Sequence, residues 1–210
     1  MGIRFTVRSA PPAPPAPVVP DSDDFTAPDG TALAGRALTT GGKTWAKLIS
    51  ADAAVAGIKA NAAAWLSGTG WGRYGWDTGT TDGVLEATLA TAPSGPASAL
   101  SALIFRGLGG TGDYWSVLLR KDGSTLVYTI GARTGDTANA AILTTTTAPK
   151  AGDRVRVTLT GDSATLDVNG VTLGTAQMGG KHATGTHVGI AFHGSDPASA
   201  WDNFSWTPAA

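Results

Sequence analysis

The sequence predicts an all-β fold made of two antiparallel sheets, a sandwich or jelly roll, and three observations support this. Glycine is abundant (29 residues) and strong helix formers are scarce, with Glu86 the only glutamate among 210 residues. From Asp21 onward, short segments alternate apolar and polar residues, as half-buried strands do. Turn-forming dipeptides separate these segments, and no helical pattern alternates with them. Antiparallel strands at this spacing are typical of a two-sheet sandwich or jelly roll.

The composition excludes several classes of function. Charged residues make up 15% of the chain and nearly cancel, leaving a formal net charge of -1. Partners such as nucleic acid or a membrane are therefore not expected, and neutral partners are favoured. The chain has no cysteine, so it can form neither disulfides nor thiolate metal sites. The first ten residues, MGIRFTVRSA, lack the apolar core of a signal peptide, so export by a standard leader is not expected.

Residues 1–9 are predicted to form an extended N-terminal β-arm. Ile3, Phe5 and Val7 alternate with polar residues, which is the pattern of a short half-buried strand. A single strand has no partner for its backbone groups. We therefore expect the arm either to dock on a sheet edge of the body or to add a strand to a sheet of another chain. The alternative is a frayed terminal tail.

A proline-rich linker at residues 10–20 separates this arm from the body. Its sequence, APPAPPAPVVP, favours an extended polyproline II conformation. At about 3.1 Å per residue, such a linker spans on the order of 30 Å. The body, residues 21–210, is then a single domain long enough to bury a hydrophobic core.

Turn dipeptides divide the body into hairpins. The clearest hairpin lies between residues 114 and 130, around the dipeptide DG at 122–123, which favours a tight turn. The dipeptides GD at 161–162 and NG at 169–170 divide a later stretch into a three-stranded meander. The alanine-rich stretch 51–66 could form a helix, but its flanking glycines favour strands and turns.

The first and last strands of the body are predicted to be neighbours in one sheet. The segments SDDF and WDNFSW, near the two ends of the body, each place acidic residues beside aromatic ones. We expect Phe25 to pack inside the domain with Phe204 or Trp206. The acidic residues expected to cluster at the same end of the sheet are Asp23, Asp24 and Asp202.

Seven segments carry this pattern of strands and turns in a fixed order. They are DDFTAPDGTALAGR, GGKTW, YGWDTGTTDGVLEATL, LIFRGLGGTGDYWSVLL, GDRVRVTLTGDSATLDVNGVTL, GTHVGIAF and WDNFSWT. The pattern resembles the concanavalin A-like jelly-roll modules that are related to laminin G-like domains, and it covers residues 22–207. The resemblance implies a concanavalin A-like fold and is much less specific for function.

Some members of that superfamily are glycoside hydrolases, which use a pair of carboxylates about 5–10 Å apart. Their catalytic strand carries acidic residues two positions apart. Here Glu86 has Val84 and Thr88 at the neighbouring same-face positions, so the paired acid is missing. We therefore predict a protein that is not an enzyme. A carboxylate pair built from distant aspartates is the alternative.

Aromatic residues are the best candidates for ligand binding. The segment WLSGTGWGRYGWDTG holds Trp65, Trp71 and Tyr74, with Arg73 between them. Flat aromatic faces beside hydrogen-bonding groups suit a glycan, since the C–H faces of a sugar are apolar and its hydroxyls need partners. Trp115 is a further candidate. The alternative is that several of these rings, Tyr74 in particular, belong to the core.

A structural calcium ion is the only cofactor that the pattern suggests, and none is required. Asp23, Asp24 and Asp202 could ligate Ca²⁺, which prefers six to eight oxygens, and modules that resemble this one often hold calcium near their joined termini. The alternative is that these aspartates have ordinary turn and capping roles. His187 and His193 would lie roughly 20 Å apart on one strand, too far apart for one ion.

The resemblance extends to laminin G-like domains in virion proteins of actinobacteriophages, often minor tail proteins. It implies a structural and recognition protein of a virion, on the tail or the head surface, assembled in the host cytoplasm. The arm would bind other virion proteins, the body would bind host cell-surface glycan, and symmetric virion sites favour a homo-oligomer. The alternative is a free carbohydrate-binding or glycan-hydrolysing jelly-roll protein.

Overall fold

The computed structural model describes residues 18–94, 99–135 and 137–209. Every regular element in these ranges is a β-strand, so the all-β prediction is confirmed. The strands, in chain order, are β1 (Asp21–Asp23), β2 (Ala46–Lys47), β3 (Val55–Lys59), β4 (Ala62–Ser67), β5 (Trp71–Asp77), β6 (Gly83–Thr91), β7 (Ala99–Leu108), β8 (Asp113–Asp122), β9 (Thr125–Thr134), β10 (Thr137–Thr144), β11 (Arg154–Thr160), β12 (Ser163–Val168), β13 (Val171–Gln177), β14 (His187–His193) and β15 (Ala200–Pro208).

The strands form two antiparallel sheets that pack face to face. The eight-stranded sheet has the order β13-β12-β11-β6-β15-β4-β3, with β1 paired to β15. The seven-stranded sheet has the order β10-β9-β8-β7-β14-β5-β2. The predicted two-sheet jelly-roll sandwich is therefore confirmed.

Strict alternation of apolar and polar residues explains which face of each strand lies inside. On β6, Leu85, Ala87 and Leu89 are fully buried, and the residues between them are partly exposed. Strands β11 and β12 repeat this pattern. Burying one such leucine or valine contributes about 1.5–3 kcal/mol, so the alternation selects one register and one inner face for each strand.

The predicted turns join the strands as expected, with one shift. Asn169 and Gly170 have φ values of 53° and 79°, which is the type I′ pattern that suits a two-residue hairpin. In the hairpin of β8 and β9, Asp122 pairs with Thr125, so the central residues are Gly123 and Ser124. Gly123 has a φ of 62° and takes the first central position, where a type II′ turn requires glycine.

The stretch 51–66 contains strands and turns, as predicted. Strands β3 and β4 pair in antiparallel fashion across residues 55–67. Ala60 and Asn61, which join them, have φ values of 52° and 55°. Two consecutive left-handed residues are incompatible with a right-handed helix, so the alanine content does not decide the local structure.

The two ends of the domain meet in the eight-stranded sheet. Ser22 pairs with Ser205, and Asp23 pairs with Phe204. Phe25, Phe204 and Trp206 are buried in the core. The prediction that the first and last strands of the body are neighbours in one sheet is confirmed.

The predicted arm lies outside the described residues, and with it Ile3, Phe5 and Val7. Of the linker, the structure describes only Val18–Pro20. Within the described ranges, no helix is long and apolar enough to cross a membrane.

Candidate functional site

The outer face of the seven-stranded sheet carries the candidate site. On β8, Trp115, Val117 and Leu119 point into the core, so strand alternation places Tyr114 and Ser116 on the outer face. The neighbouring strands β5, β7, β9 and β14 present their own alternate residues there. One sheet face thus collects side chains that are far apart in the sequence.

A shallow depression on this face is lined by residues of β5, β7, β8, β9 and β10. Its floor is made mostly of small residues, and larger polar and aromatic side chains form its rim. The lining residues are Trp71, Ala102, Tyr114, Ser116, Leu118, Arg120, Thr129, Gly131, Ala132, Arg133, Ala138, Asn139 and Ala141. We refer to this surface as the outer-face depression.

Trp71 is the half-buried aromatic residue at the rim, and cations surround it. The guanidinium carbons of Arg73 and Arg133 lie 5.9 Å and 5.7 Å from its ring centroid. Both distances are within the range of a cation–π interaction. The ring of His193 meets Trp71 edge to face, with 5.1 Å between ring centroids.

These side chains come from strands that are not adjacent. Trp71 lies on β5 and Arg133 on β9, and the strands β14, β7 and β8 run between them. Ala191 on β14 and Ala102 on β7 belong to the same apolar cluster as Trp71. Because these alanines are small, the long side chains of Trp71 and Arg133 can meet above them.

Arg73 supports the site from below. Its side chain is only 2% exposed and forms an ion pair of 3.4 Å with Asp52. The second carboxylate oxygen of Asp52 accepts a hydrogen bond of 3.0 Å from the Arg73 backbone N–H. The Arg73 guanidinium also lies 5.7 Å from the ring centroid of Tyr114. Burial raises the pKa of Tyr114, so its phenol stays protonated beside the two arginines.

The segment that follows β2 covers part of the same face. The Leu48 backbone N–H donates to the Arg73 carbonyl at 2.8 Å, and the Gly110 N–H donates to the Leu48 carbonyl at 3.1 Å. The side chain of Leu48 packs against the outer-face apolar cluster. This segment therefore covers part of the outer face beside the depression.

His193 lies at the Trp71 end of the depression. Its Nδ1 is 2.6 Å from the Ser195 hydroxyl oxygen. Burial, followed by the positive charge of Arg133, lowers the pKa of His193. The imidazole is therefore neutral at pH 7 and can exchange hydrogen bonds without adding charge.

Hydrogen-bonding groups of several kinds line the remainder of the rim. Asn139 donates from its amide nitrogen to the Ala132 carbonyl at 3.2 Å and to the Thr134 hydroxyl at 3.3 Å. Its amide oxygen has no protein partner among the described residues. Arg120 is half-buried and forms no ion pair with any residue in the described ranges.

The structure brings two of the predicted ligand-binding residues together at this site. Trp71 lines the outer-face depression, and the Arg73 guanidinium lies against the Trp71 ring. Contact of either residue with a ligand stays a prediction. Trp65 lies on β4 of the other sheet and packs against the core. It does not belong to this cluster.

Two other predicted ligand-binding residues point into the core, which corrects the sequence-based expectation. Tyr74 is 2% exposed, and its hydroxyl donates to the Ala54 carbonyl at 3.1 Å. Trp115 is 3% exposed, and its indole N–H donates to the Lys181 carbonyl at 2.7 Å. Strand alternation is the reason, because a residue next to an outward-facing one points inward.

The aspartates near the joined termini form hydrogen bonds and ion pairs within the protein, as the alternative to the calcium hypothesis expects, and calcium binding by them stays a prediction. Asp23 forms an ion pair of 2.9 Å with Arg36 and accepts a hydrogen bond from the Trp45 indole at 2.7 Å. Asp24 accepts from the Thr26 backbone N–H, which lowers the pKa of Asp24. In the ranges that the structure describes, no three His, Asp or Glu residues form a group that could hold a metal ion.

Asp202, the third aspartate of the predicted calcium site, is partly buried. Burial raises the pKa of Asp202. Its carboxylate accepts hydrogen bonds from the backbone N–H of Asn203 at 2.7 Å and from the Asn203 side-chain amide at 3.0 Å. Asp202 thus binds its neighbour Asn203 at an irregularity within β15.

The single glutamate lies far from the depression. Glu86 faces outward from β6 on the eight-stranded sheet and forms an ion pair of 2.5 Å with Arg154. Asp167 lies on the same outer face, opposite Arg156. These alternating charges form an exposed ladder on the other side of the sandwich.

Sequence reasoning missed Tyr114, Arg120, Arg133 and Asn139. The outward position of Tyr114 could have been predicted from alternation on β8, because Trp115 points inward. The turn at 122–123 also sets the register of β8 with β9. The meeting of Arg133 with Trp71 had no local signal, because it depends on the order of strands in the sheet.

Comparisons with known proteins agree with this architecture. No protein-family model matches the chain, and no curated protein matches its sequence. Among solved structures, the carbohydrate-binding module CBM66 from Bacillus subtilis superposes with a TM-score of 0.57 at 12% identity, covering 84% of this chain and 98% of that one. The chain is similar in fold to this module.

Two further structures have comparable similarity. The CBM2 module of the evolved Dit protein of Lactobacillus casei BL23 phage J-1 has a TM-score of 0.53 at 15% identity, covering 92% of this chain and 99% of that one. The Bacillus licheniformis beta-glucanase has a TM-score of 0.53 at 12% identity, covering 91% and 98%. At these identities the similarity shows the fold alone, a concanavalin A-like jelly roll.

Proposed function

We propose that the domain is a non-enzymatic glycan-recognition module and that it binds through the outer-face depression. The observation that carries this proposal is the cluster of Trp71, Arg73, Tyr114 and Arg133 on a sheet face with a small-residue floor. A sheet face of this kind is rigid, because each strand is hydrogen-bonded to its neighbours.

The chemistry of the cluster suits a sugar. Aromatic rings offer apolar surface to the C–H groups of a sugar ring, and the planar donors of arginine suit its oxygen atoms. Trp71, which is half-buried, supplies the first kind of surface, and Arg133 and Arg120 supply the second; Tyr114 lines the depression but is only 4% exposed. Ser116 and Asn139 add hydroxyl and amide groups that can bind hydroxyls of the ligand.

The names of the similar structures support the same function. Two of the three are described as carbohydrate-binding or CBM modules, and the third as a glucanase. A glycan ligand is the element that these three names have in common.

Binding without catalysis is favoured by the residues of the depression. Glycoside hydrolysis by the usual route needs two carboxylates about 5–10 Å apart at the bond to be cleaved. The lining of the outer-face depression, all of it in the described part of the chain, contains no Asp or Glu. Glu86 and Asp167 lie on the opposite face, where Glu86 forms an ion pair with Arg154 and Asp167 accepts a hydrogen bond from the Thr172 hydroxyl.

The wider proposal is a role in a bacteriophage virion, on a tail or on a head surface. The arm at 1–9 would bind other virion proteins, the linker at 10–20 would hold the domain away from them, and the domain would meet host-surface glycan. The phage Dit module among the similar structures supports this setting. Assembly in the host cytoplasm and a homo-oligomeric form belong to the same proposal.

A free carbohydrate-binding protein is the second candidate, and the CBM66 similarity favours it equally. The two candidates differ in what residues 1–20 do. In a free protein those residues are dispensable, whereas in a virion protein they are required for assembly.

Glycan binding is tested with purified protein on actinobacterial cell walls and their extracted polysaccharides. We expect binding by the unchanged protein and a loss of up to about tenfold in a Trp71→Ala variant of unchanged melting temperature, because a stacked aromatic contributes about 0.5–1.5 kcal/mol. The control is Arg156→Gln on the opposite face, which should bind normally. No binding by any protein, to any of the polysaccharides, would contradict the proposal.

A further inference from the structure

We infer that the outer face of the seven-stranded sheet holds a second ligand site, and that this site binds a saccharide through neighbouring free hydroxyl groups. The site is a cleft lined by residues of the segment 43–50, of β5 and β14, and of the turn between β7 and β8. We refer to it as the edge cleft. The inference rests on the proposed glycan-binding function and adds a second contact for the same class of ligand.

The edge cleft lies at the opposite end of β5 from Trp71. Asp77 lines the cleft and shares the outer face with Trp71, because alternate residues of a strand point the same way. Six residues of strand, about 20 Å, separate the two. Leu48 borders both places, since its side chain packs against the apolar cluster beside Trp71 and also lines the cleft. The edge cleft is therefore separate from the outer-face depression.

The edge cleft is large enough to enclose a ligand. Its volume is 610 Å³, whereas that of the outer-face depression is 60 Å³. Small-molecule sites usually have volumes of about 300–1,000 Å³. Two lining glycines keep the cleft open: a Cβ atom on Gly75 would lie 2.0 Å from the Val188 carbonyl oxygen, and Gly110 has a φ of 81°. Both positions favour a residue without a side chain.

A carboxylate and an imidazole lie side by side in the edge cleft. Asp77 pairs with His187 across β5 and β14, which places their Cβ atoms about 4.5–5.5 Å apart. A hydrogen bond from the Thr186 hydroxyl, followed by one from the Gly79 backbone N–H, lowers the pKa of Asp77, and the nearby His187 and Lys43 act in the same direction. The Asp77 carboxylate is therefore ionised at neutral pH and can only accept hydrogen bonds.

Hydrogen-bonding groups without a protein partner lie beside this carboxylate. The half-buried Lys43 carries an ammonium that forms no hydrogen bond or ion pair with any residue in the described ranges. The Nδ1 atom of His187 is buried and also has no hydrogen-bond partner there, although buried polar atoms normally have one. Lys47 differs, because its ammonium donates to the Asp52 carbonyl. The ammonium of Lys43 and the imidazole of His187 thus keep hydrogen-bonding capacity for a ligand.

This combination of groups suits a neutral polyol. A hydroxyl both donates and accepts hydrogen bonds, so two neighbouring hydroxyls can donate to Asp77 and accept from Lys43 at the same time. An anionic ligand would be repelled by Asp77, and a cationic one by Lys43. A saccharide with neighbouring free hydroxyls is therefore the ligand class that matches the edge cleft.

Nuclear magnetic resonance of the full chain tests the inference, because it reports on the two places separately. The probe is a set of fragments cut from the neutral polysaccharides of actinobacterial cell walls. The indole N–H signal of Trp71 reports on the depression, and the imidazole C–H signal of His187 reports on the cleft. The chain has only three histidines, so the second signal can be assigned. We expect both signals to move and to saturate as fragments are added at constant pH.

Two variants test the location. Ser50 is exposed and lines the edge cleft, so Ser50→Trp should fill the cleft and abolish the His187 response, while the Trp71 response and the melting temperature are retained. Lys43→Ala should weaken the affinity measured at His187 about tenfold, the usual effect of losing one hydrogen bond to a charged group. The control Lys59→Ala removes the same charge from an exposed position on the other sheet and should change neither response.

Each result has a definite meaning. If the Trp71 signal moves and the His187 signal does not, the inference is wrong and the proposed function stands. If both move but neither Ser50→Trp nor Lys43→Ala alters the His187 response, the edge cleft is not a binding site and the inference is wrong. If only the His187 signal moves, the inference holds and binding at the depression is wrong. If neither signal moves, the proposed function fails and the inference fails with it.

Discussion

Asp23 shows how one buried carboxylate organises the region where the chain enters the domain. Its oxygens accept hydrogen bonds from the Phe25 backbone N–H at 2.8 Å, from Arg36 at 2.9 Å and from the Trp45 indole at 2.7 Å. Phe25 has a φ of 53°, a left-handed conformation that costs a bulky residue about 1–2 kcal/mol. The hydrogen bond from its amide to Asp23, together with burial of its ring, offsets that cost.

Asp23→Asn should therefore destabilise the domain by about 3 kcal/mol, because it leaves the Arg36 guanidinium largely buried without its counter-charge. The free energy of unfolding, measured in urea, checks this.

A chelator should leave the melting temperature of the unchanged protein as it is, since Arg36 and Trp45 bind the oxygens that a calcium ion would need. A melting temperature that falls on chelation would support the calcium hypothesis.

At the scale of elements, strands β5 and β14 approach each other closely at a pair of glycines. Gly75 pairs with Gly189. A Cβ atom on Gly75 would lie 2.0 Å from the Val188 carbonyl oxygen, and one on Gly189 would lie 2.0 Å from the Tyr74 carbonyl oxygen. Neither contact can be relieved by rotating a side chain, because both involve backbone atoms.

Gly75→Ala should cost on the order of 3 kcal/mol in the free energy of unfolding, the upper end of what overpacking usually costs. The matched control is Gly131→Ala in the same sheet, where the added atom makes an ordinary contact. We expect that control to unfold at the same denaturant concentration as the unchanged protein. Equal stability of the two variants would show that the strands can separate without cost.

Elements with local signals could be predicted from the sequence. The meander of β11, β12 and β13 was predicted because its alternation and its turns agree at every step. The bulge in β7 had no such signal. Arg106 adopts a φ of 47° there, and its guanidinium binds Asp82 at 2.7 Å and the Gly161 carbonyl. A contact between residues far apart in sequence determines that conformation.

At the scale of the whole molecule, strand order separates what the sequence could predict from what it could not. The inner and outer faces follow from alternation where a strand alternates strictly, as in β6, β11 and β12, whereas Tyr74 and Trp115 were expected at the ligand site and lie in the core. The site could be predicted only in part, because Trp71 and Arg133 meet across three intervening strands. The alternation of apolar and polar residues within each strand does not reveal the order of the strands in the sheet.

Removing residues 1–20 tests the division of the chain into arm, linker and domain. We expect residues 21–210 to keep the melting temperature and the glycan binding of the full chain, because the described strands and core lie within them. In the virion proposal, the shortened protein should fail to enter particles, as measured by its content in purified virions. Normal incorporation would favour the free carbohydrate-binding protein.

The pairing of β1 with β15 has a consequence for how such a domain can spread among proteins. The chain enters and leaves at neighbouring positions of the eight-stranded sheet, while the depression lies on the outer face of the other sheet. A domain with adjacent ends can be inserted as a cassette into a surface loop of an unrelated host protein without distorting it. The recipient would then acquire a recognition surface that faces away from the graft point.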